Sequence, residues 1–401
     1  MQAIYLDHNS TAPLLPEVAA AMAQADAAGY ANPASQHSAG RHAHQLLEDA
    51  REEIARLLGA NLTGAAADRL IFTSGGTEAN NLALFGLAGA AASNGTSSTL
   101  AAQENRAPGR IIISSIEHPS VTASADFLAK CGWQVDRLAV TSEGVVELKH
   151  LDELLSTSSP FGPPRLVSVM LANNETGVLQ PIAEIAARCQ AAGVPVHTDA
   201  VQAVGKVPVN FRALGVAAMT VAGHKFGGPR GMGALLVKQA AVLRPILHGA
   251  TQQFGLRPGT ESVSLALGFL AALRSWANDR DQRPRRLAAL RDRLEAGIRT
   301  IYPAAIVNGK NASRLSHTSN VAFVGHNRQA LFMALDMAGI CCSTGSACAS
   351  GSSEPSPTLL AMHLPREVVQ ASLRFSLGVN TTAEEIDDAL RRLAGVLNQH
   401  C

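Results

Sequence analysis

A lysine between an apolar run and a glycine-rich turn is the first residue whose setting suggests chemistry. In "AAMTVAGHKFGGPRG", Lys225 follows the apolar run 217–222 and precedes Gly227 and Gly228. Ligands in open α/β sheets bind at the carboxyl ends of strands. Partial burial disfavours the charged form of a lysine, so its amine becomes available for a Schiff base. An exposed loop lysine is the alternative interpretation of this residue alone.

An aspartate ends the preceding apolar run, which comes before the run that leads to Lys225. In "VPVHTDAVQAVGK", Asp199 is the last residue of the run 194–199. A carboxylate at a strand end costs free energy unless a cation pairs with it, and the protonated nitrogen of a pyridine ring is such a cation. A helix N-cap is the alternative role for Asp199.

A glycine turn opens a helix in "FTSGGTEANN". Gly76 lets the backbone approach an anion, and the free N–H groups at the helix start near Thr77 can hold a phosphate. The turn is neither a Walker A loop nor a G-x-G-x-x-G motif, and an ordinary capped turn is the alternative. In "SSIEHPS" and "MLANNETG", His118 and Asn174 follow two further strand-like runs. An imidazole there can stack on a flat ring or move a proton.

Polar residues at the ends of successive strands, taken together, indicate one ligand. A lysine amine, a carboxylate in the preceding unit, a phosphate-binding turn and an imidazole match the needs of a phosphorylated aromatic aldehyde. The sequence therefore predicts pyridoxal 5'-phosphate as the cofactor.

The elements that must position these residues follow from hydrophobic patterns. Short β-branched runs alternate with helical patterns through the middle of the chain, so we predict an α/β fold with a largely parallel sheet. A helical stripe over 43–58 ends at Gly59, and after residue 260 two amphipathic helices flank strand-like pieces such as 319–324, which predicts a smaller α+β domain. The predicted strands are 69–73, 110–114, 165–171, 194–199, 217–222 and 233–237.

Composition restricts the partners. The 401 residues carry a net charge of +1 from 33 basic and 32 acidic side chains, which gives no electrostatic reason to bind nucleic acid or an anionic membrane. Six cysteines without a C-x-x-C pair argue against a disulfide framework or a metal site. No signal peptide or membrane span is expected, so we predict a soluble cytoplasmic protein that binds small molecules or proteins.

One cysteine lies in a segment that cannot pack it. Cys348 stands among small residues in "CCSTGSACASGSSEPSP", whereas a structural cysteine is normally buried as a small hydrophobe. The setting indicates a reactive, movable thiol. Cys189, by contrast, shares a helical stripe with Ile182 and Ile185, so we expect it in the core.

These motifs together resemble the cysteine desulfurases, in the class V group of pyridoxal-phosphate-dependent aminotransferases, and the nitrogen-fixation type branch in particular. The resemblance runs in order from about Tyr5 to Leu393. It implies fold type I, with a mainly parallel seven-stranded sheet in a large domain over 16–259. The small α+β domain would comprise 1–15 and 260–401 and carry the nucleophile segment at about 341–357. The matching stretches are "YLDHNSTAP", "NPASQHSAGR", "FTSGGTEANNLAL", "EHPSV", "ANNETGVLQPI", "HTDAVQAVGKVPV", "GHKFGGPRGMGAL", "GLRPGTES", "STGSACASGSSEPS" and "LRFSLG".

The resemblance assigns roles residue by residue. Lys225 would bind the cofactor covalently, Asp199 would pair with its ring nitrogen, and His118 would stack on the ring and move protons. Gln202 would contact the ring hydroxyl. Asn174 and Arg374 would hold the substrate carboxylate, which suits the bidentate fork of arginine. The phosphate would be bound by Gly76, Thr77, His224 and, from the second subunit of a homodimer, Thr260.

The resemblance also explains Cys348, which occupies the family's nucleophile position. It would take the sulfur of L-cysteine as a persulfide, leave L-alanine, and pass the sulfur to an acceptor such as an iron-sulfur scaffold. A selenocysteine lyase, an aminotransferase for another amino acid, and a non-catalytic cofactor-binding scaffold or sulfur carrier are the alternatives. The chain departs from the family where Ala222 replaces a phosphate-binding serine and in the segment 250–254.

Overall fold

Three sheets and thirteen α-helices make up the described part of the chain. The computed structural model describes residues 3–29, 31–90, 108–345 and 354–399. None of the helices in these ranges is long and apolar enough to cross a membrane. The helices are Pro16–Ala27, Ser38–Leu57, Gly76–Ala90, Pro119–Lys130, Leu148–Ser156, Ile182–Ala191, Phe211–Leu214, Val263–Asp279, Arg283–Ile301, Arg328–Met337, Pro357–Ala361, Arg366–Gln370 and Ala383–Gln399.

The larger sheet has seven strands in the order β2-β8-β7-β6-β5-β3-β4. Its strands from β7 to β4 run parallel, whereas β8 is antiparallel to both neighbours. The structure confirms the predicted α/β fold with a mainly parallel seven-stranded sheet. The strands are β2 (Arg69–Thr73), β3 (Arg110–Ser114), β4 (Gln134–Leu138), β5 (Leu166–Ser168), β6 (Val196–Asp199), β7 (Ala218–Ala222) and β8 (Gly233–Val237).

Strand β4 is absent from the sequence prediction. It forms one edge of the sheet, pairs only with β3 among the described strands, and keeps four of its five side chains partly or fully exposed. An edge position tolerates polar side chains. Because β4 contains Gln134, Asp136 and Arg137, it lacks the apolar run from which the other strands are predicted. Arg110 on β3 pairs with Asp136, which fixes the register of this edge.

Two smaller sheets lie in the C-terminal part. One is antiparallel in the order β12-β10-β9, and the other pairs β1 with β11 in parallel. The amino terminus therefore joins the C-terminal part of the fold. Their strands are β1 (Ile4–Tyr5), β9 (Ile306–Val307), β10 (Thr318–Ala322), β11 (Ile340–Cys341) and β12 (Ser372–Ser376).

Separate cores support the two parts. Two clusters cover the faces of the large sheet, and a third cluster unites Leu6, Phe323, Phe375 and Leu393 around the small sheets. The helix Val263–Asp279 buries Phe269 against the first of these clusters. The exact division into 16–259 and the remainder stays a prediction.

Candidate active site

A cavity of about 470 Å³ opens at the carboxyl ends of the parallel strands. It brings together nearly all of the predicted site residues, although they come from six stretches of sequence. Thr260 is exposed and lines a different, smaller cavity, and Cys348 lies outside the described residues. The predicted residues in the cavity wall are Gly76, Thr77, His118, Asn174, Asp199, Gln202, His224, Lys225 and Arg374.

Lys225 is held by backbone oxygens from the amino-terminal segment. It ends a single 3-10 turn, Gly223–Lys225, that follows β7 directly. Its Nζ donates to the carbonyl oxygens of Asn9 and Ser10, both at 2.8 Å. Two carbonyl acceptors fix the direction of the amine without supplying a carboxylate charge.

Asp199 ends β6 and is 5% exposed. One carboxylate oxygen accepts from the Val201 amide at 2.9 Å, and the other accepts from Asn80 Nδ2 at 2.7 Å. Asn80 also donates to the Ser120 hydroxyl at 2.8 Å. The carboxylate is therefore aimed by its neighbours, as a partner for a ring nitrogen must be.

After the glycine turn, the N-terminus of the helix Gly76–Ala90 lines the cavity. The first N–H groups of a helix have no partner within it, and the helix dipole favours an anion there. A Cβ built at Gly76 would lie 2.9 Å from Val201 Cγ2, so this position has no room for a side chain. His224 stands nearby and hydrogen-bonds to the Thr11 hydroxyl at 3.1 Å.

His118 caps the helix Pro119–Lys130. Its Nδ1 accepts from the Ser120 amide at 3.1 Å, so the neutral ring carries its proton on Nε2. Burial lowers the pKa of His118, the charge of Lys225 lowers it further, and Asp199 acts in the opposite sense. The ring is therefore neutral near pH 7.

Glu117, beside His118, is a wall residue that the sequence analysis did not identify. Its Oε1 accepts from the Met170 amide at 2.7 Å and from the Ser114 hydroxyl, while Oε2 is buried without a hydrogen-bond partner among the described residues. Burial raises the pKa of Glu117 to about 8. Asp199 contributes to that increase. Glu117 is therefore protonated at neutral pH, which leaves Asp199 as the anion of this wall.

Asn9 is the connecting residue of the site, and the sequence analysis also missed it. It is 1% exposed, and its carbonyl oxygen accepts from Lys225 Nζ and from Gln202 Nε2. Its Nδ2 donates to the Asn174 carbonyl oxygen at 3.2 Å. Lys206 donates to the Gln202 amide oxygen. Only the tertiary contacts reveal this role, because more than 160 residues separate Asn9 from each partner.

Arg374 lies on β12 and is 2% exposed, so the small sheet supplies one wall of the cavity. It donates to the Asn174 carbonyl oxygen at 2.9 Å and to the Ser10 hydroxyl at 2.9 Å. Asp7 forms an ion pair with the same guanidinium. The sequence analysis did not assign a role to Asp7, although the residue belongs to the stretch "YLDHNSTAP".

Comparison with known proteins identifies the family. The class V aminotransferase family model matches residues 4–389. The chain is 37% identical to the NifS cysteine desulfurase of Azotobacter vinelandii, over 100% of this chain and 94% of that protein. It is 39% identical to an IscS-like cysteine desulfurase of Mycobacterium tuberculosis, over 98% and 96% of the two chains. The chain belongs to the cysteine desulfurase family.

A solved structure agrees with this result. The crystal structure of a NifS-like protein from Rickettsia africae superposes with a TM-score of 0.86 at 31% identity, covering 99% of this chain and 100% of that one. The fold and the sequence therefore identify the same family along the whole chain. Enzymes of this family depend on pyridoxal phosphate.

The cavity of this cysteine desulfurase fits that cofactor. An amine, an aimed carboxylate and a helix start without room for a side chain face one space of about 470 Å³. These are the groups required by an aldehyde, a pyridine nitrogen and a phosphate. Ala222 is also part of the wall, and its methyl group offers no hydrogen bond there.

The altered segment 250–254 of this desulfurase is anchored to the edge of the large sheet. Gln253 has a φ of 49° and is 6% exposed. Its side chain donates to the Phe72 carbonyl oxygen at 2.9 Å and accepts from the Phe72 amide. Phe254, with a φ of 62°, is 59% exposed. The segment therefore combines a buried anchor with an exposed aromatic ring.

The described cysteines differ from one another in burial. Cys189 is fully buried in the first core cluster, which confirms the prediction from its helical stripe. Burial raises the pKa of the Cys189 thiol to about 12, and burial does the same for Cys342. Neither thiol is a nucleophile near pH 7. Cys131 is exposed at the end of the helix Pro119–Lys130.

Proposed function

We propose that the chain converts L-cysteine to L-alanine and takes the sulfur as a persulfide on Cys348. The observation that carries the proposal is the convergence of Lys225, Asp199 and Arg374 on one cavity. The first two come from the large sheet and the third from the small one. An amino acid bound through its carboxylate would therefore have its amine directed towards Lys225.

The cofactor supplies an electron sink that weakens bonds at the carbon atoms of a bound amino acid. Lys225 would hold the cofactor through its amine and, once released by substrate, move a proton at Nζ. Asp199 would keep the ring nitrogen protonated, because Asn80 and the Val201 amide already fix its oxygens. His118 would cover the ring face and offer its Nε2 proton.

Arg374 and Asn174 would select an amino acid by its carboxylate. Arg374 already has a fixed direction, since the Asn174 carbonyl oxygen and Asp7 accept from its two terminal nitrogens. Its Nε is buried and has no partner within the described ranges. A substrate carboxylate would add a charge-assisted partner to this guanidinium.

The sulfur step uses the Cys348 thiol. The thiolate sulfur bonds to the substrate sulfur, the bond between that sulfur and Cβ breaks, and its electron pair remains on Cβ, which takes up a proton. An enzyme thiol and L-cysteine thus give an enzyme persulfide and L-alanine, so no further oxidant is needed. The prediction that Cys348 is the nucleophile rests on the sequence motif.

The proposed working form is a cytoplasmic homodimer that passes sulfur to an acceptor protein, for iron-sulfur cluster assembly. Thr260 supports a dimer, because it is exposed in one chain and lines another cavity than the one to which the motif assigns it. The relatives named NifS and IscS-like support a role in sulfur delivery.

Mass spectrometry of the intact holoenzyme after incubation with L-cysteine, without reductant, tests the proposal. We expect a sulfur adduct and free alanine from the wild type, and loss of the adduct in Cys348→Ala. Cys131→Ala is the matched control, since it removes an exposed thiol elsewhere. Equal alanine from all three proteins without an adduct would exclude the Cys348 mechanism. Activity with selenocysteine alone would favour a lyase, and no alanine at all would favour a scaffold.

A further inference from the structure

Glu175 is a buried carboxyl group to which the proposed chemistry assigns no role. It follows Asn174, lines the active-site cavity and is 5% exposed. Its backbone is fixed by the Asn173 side chain, which accepts from the Glu175 amide at 2.9 Å. Burying a carboxyl group is costly unless its oxygens find partners, so the contacts of this side chain indicate what it is for.

The first set of contacts is with residues that follow the segment 346–353. The Ser356 hydroxyl donates to Glu175 Oε2 at 2.6 Å and accepts from the Leu359 amide at 3.1 Å. Ser356 thereby caps the helix Pro357–Ala361 while it holds Glu175. The Thr358 hydroxyl also bonds to the carboxyl group of Glu175.

The second contact is with the residue that precedes the same segment. A Cβ built at Gly345 would lie 2.7 Å from Glu175 Oε2, and Gly345 has a φ of 90°, which strains other residues. Its amide donates to the Ser343 hydroxyl at 3.1 Å. Ser343 in turn exchanges two backbone hydrogen bonds with Arg374, at 3.0 and 2.7 Å.

Glu175 therefore lies beside both described ends of the segment and one residue from the substrate-binding site. Burial raises the pKa of its carboxyl group, whereas Ser356 and the charge of Arg374 act in the opposite sense. One oxygen, Oε2, accepts from Ser356, and a Cβ on Gly345 would collide with the same oxygen. A single side chain thus adjoins both ends.

We propose that Glu175 is a positioning residue that fixes both ends of the segment carrying Cys348 and so controls the rate of sulfur transfer from the bound substrate. The inference rests on the proposed role of Cys348. Glu175 acts without contacting the substrate sulfur. Its substitution is expected to change the rate of the transfer step and not substrate binding, because positioning a nucleophile lowers the reaction barrier only after the substrate has bound.

Single-turnover kinetics of the holoenzyme with L-cysteine test this role. Quenched samples analysed by mass spectrometry give the rate of persulfide formation. For Glu175→Ala we expect this rate to fall by about ten- to hundredfold, which corresponds to the loss of one charge-assisted hydrogen bond. Cofactor absorbance and the KM for L-cysteine should stay within about twofold. Ser356→Ala removes only the hydrogen bond between Ser356 and Glu175, so it should slow the same step less.

Glu367→Gln is the matched control, because Glu367 is exposed on the helix Arg366–Gln370. Should Glu175→Ala fail to fold, Ser356→Ala carries the test alone. A raised KM at unchanged transfer rate would overturn the inference, and so would wild-type transfer in both variants. A Cys348→Ala sample run alongside separates the two claims: an adduct there refutes the proposed function, whereas its absence together with fast transfer in Glu175→Ala refutes only this inference.

Discussion

Two cavities meet at Lys225, and they differ in size and in what lines them. The active-site cavity of about 470 Å³ is lined by the hydrogen-bonded groups around Asp199 and Arg374. A second cavity of about 190 Å³ lies between the two parts of the fold, where Phe226 and Trp276 stand beside charged side chains such as Lys206. Asn9 and Ser10 line the first, and His8 lines the second. One short backbone segment therefore separates two spaces that both contain titratable groups.

The titratable groups of both cavities respond to burial in the same sense. In the second cavity, burial lowers the pKa of His8 to about 4 and lowers that of Lys206 well below its usual range. In the active-site cavity, burial lowers the pKa of His224 to about 4 and raises that of Glu117 to about 8. Both cavities thus favour the neutral form of these groups, and the acid and the bases respond to pH in opposite directions.

Removing the residue shared by both cavities should have the largest effect. Lys225→Ala should lose the visible absorbance of the bound cofactor and lower alanine formation by about a thousandfold or more, since a covalent anchor and a proton carrier disappear together. Absorption spectra and alanine assays measure both. Lys238→Ala, an exposed lysine after β8, should match the wild type. Cofactor absorbance retained in Lys225→Ala would disprove the assignment.

Removing the Asn9 side chain, which lies between the two cavities, should destabilise the fold. The Asn9 side chain hydrogen-bonds to His317, Thr318 and Asn174, so Asn9→Ala leaves several buried groups without partners. We expect a loss of about 2 to 4 kcal/mol in the free energy of unfolding by urea. Asn9→Asp, which retains the acceptor for His317, should lose less. Equal stability of Asn9→Ala and the wild type would contradict the network.

Glu117 should make the protein less stable as pH rises. Its pKa in the folded state, about 8, exceeds the usual 4.5, so the folded state retains a proton that the unfolded state has lost. Stability is therefore lost between pH 4.5 and about 8. Glu117→Gln should remove this loss, a difference on the order of 2 kcal/mol between pH 5 and pH 8. Parallel pH curves for variant and wild type would show that Glu117 does not titrate this way.

Lys206 should act in the opposite direction. Its pKa is lowered in the folded state, so the unfolded state binds the extra proton and stability rises as pH increases towards 10.5. Lys206→Met should flatten the alkaline part of the stability curve without altering the acidic part. Urea unfolding at several pH values measures this. An unchanged alkaline slope would mean that Lys206 keeps its charge in the second cavity.

The smallest expected effect sharpens the phosphate end of the active site. Ala222→Ser would add a hydroxyl to the cavity wall, and one hydrogen bond of about 0.5 to 1.5 kcal/mol should tighten cofactor binding by up to about tenfold. Dialysis followed by fluorescence titration of the cofactor gives the affinity. Weaker binding in Ala222→Ser would indicate that the wall has no space for the hydroxyl.

Much of the architecture was predictable because local patterns carry it. The apolar runs place β2, β3 and β8 within their observed bounds, and the part after residue 260 contains amphipathic helices such as Ala383–Gln399, as predicted. The polar edge strand β4 was missed because its exposure removes the apolar pattern. Glu117 and Asn9 were missed for another reason: their roles depend on partners that are distant in sequence or on burial.

The sequence by itself determined the strand ends that carry Lys225 and Asp199, the glycine turn at Gly76, and the motifs of the family, because each is a local arrangement of residue types. Only the tertiary structure decided which backbone holds Lys225, how Asp7 directs Arg374, and that Glu175 accepts from Ser356. Those contacts join residues that are far apart along the chain. Burial and the packing of distant segments create these contacts, and a short sequence pattern specifies neither of the two.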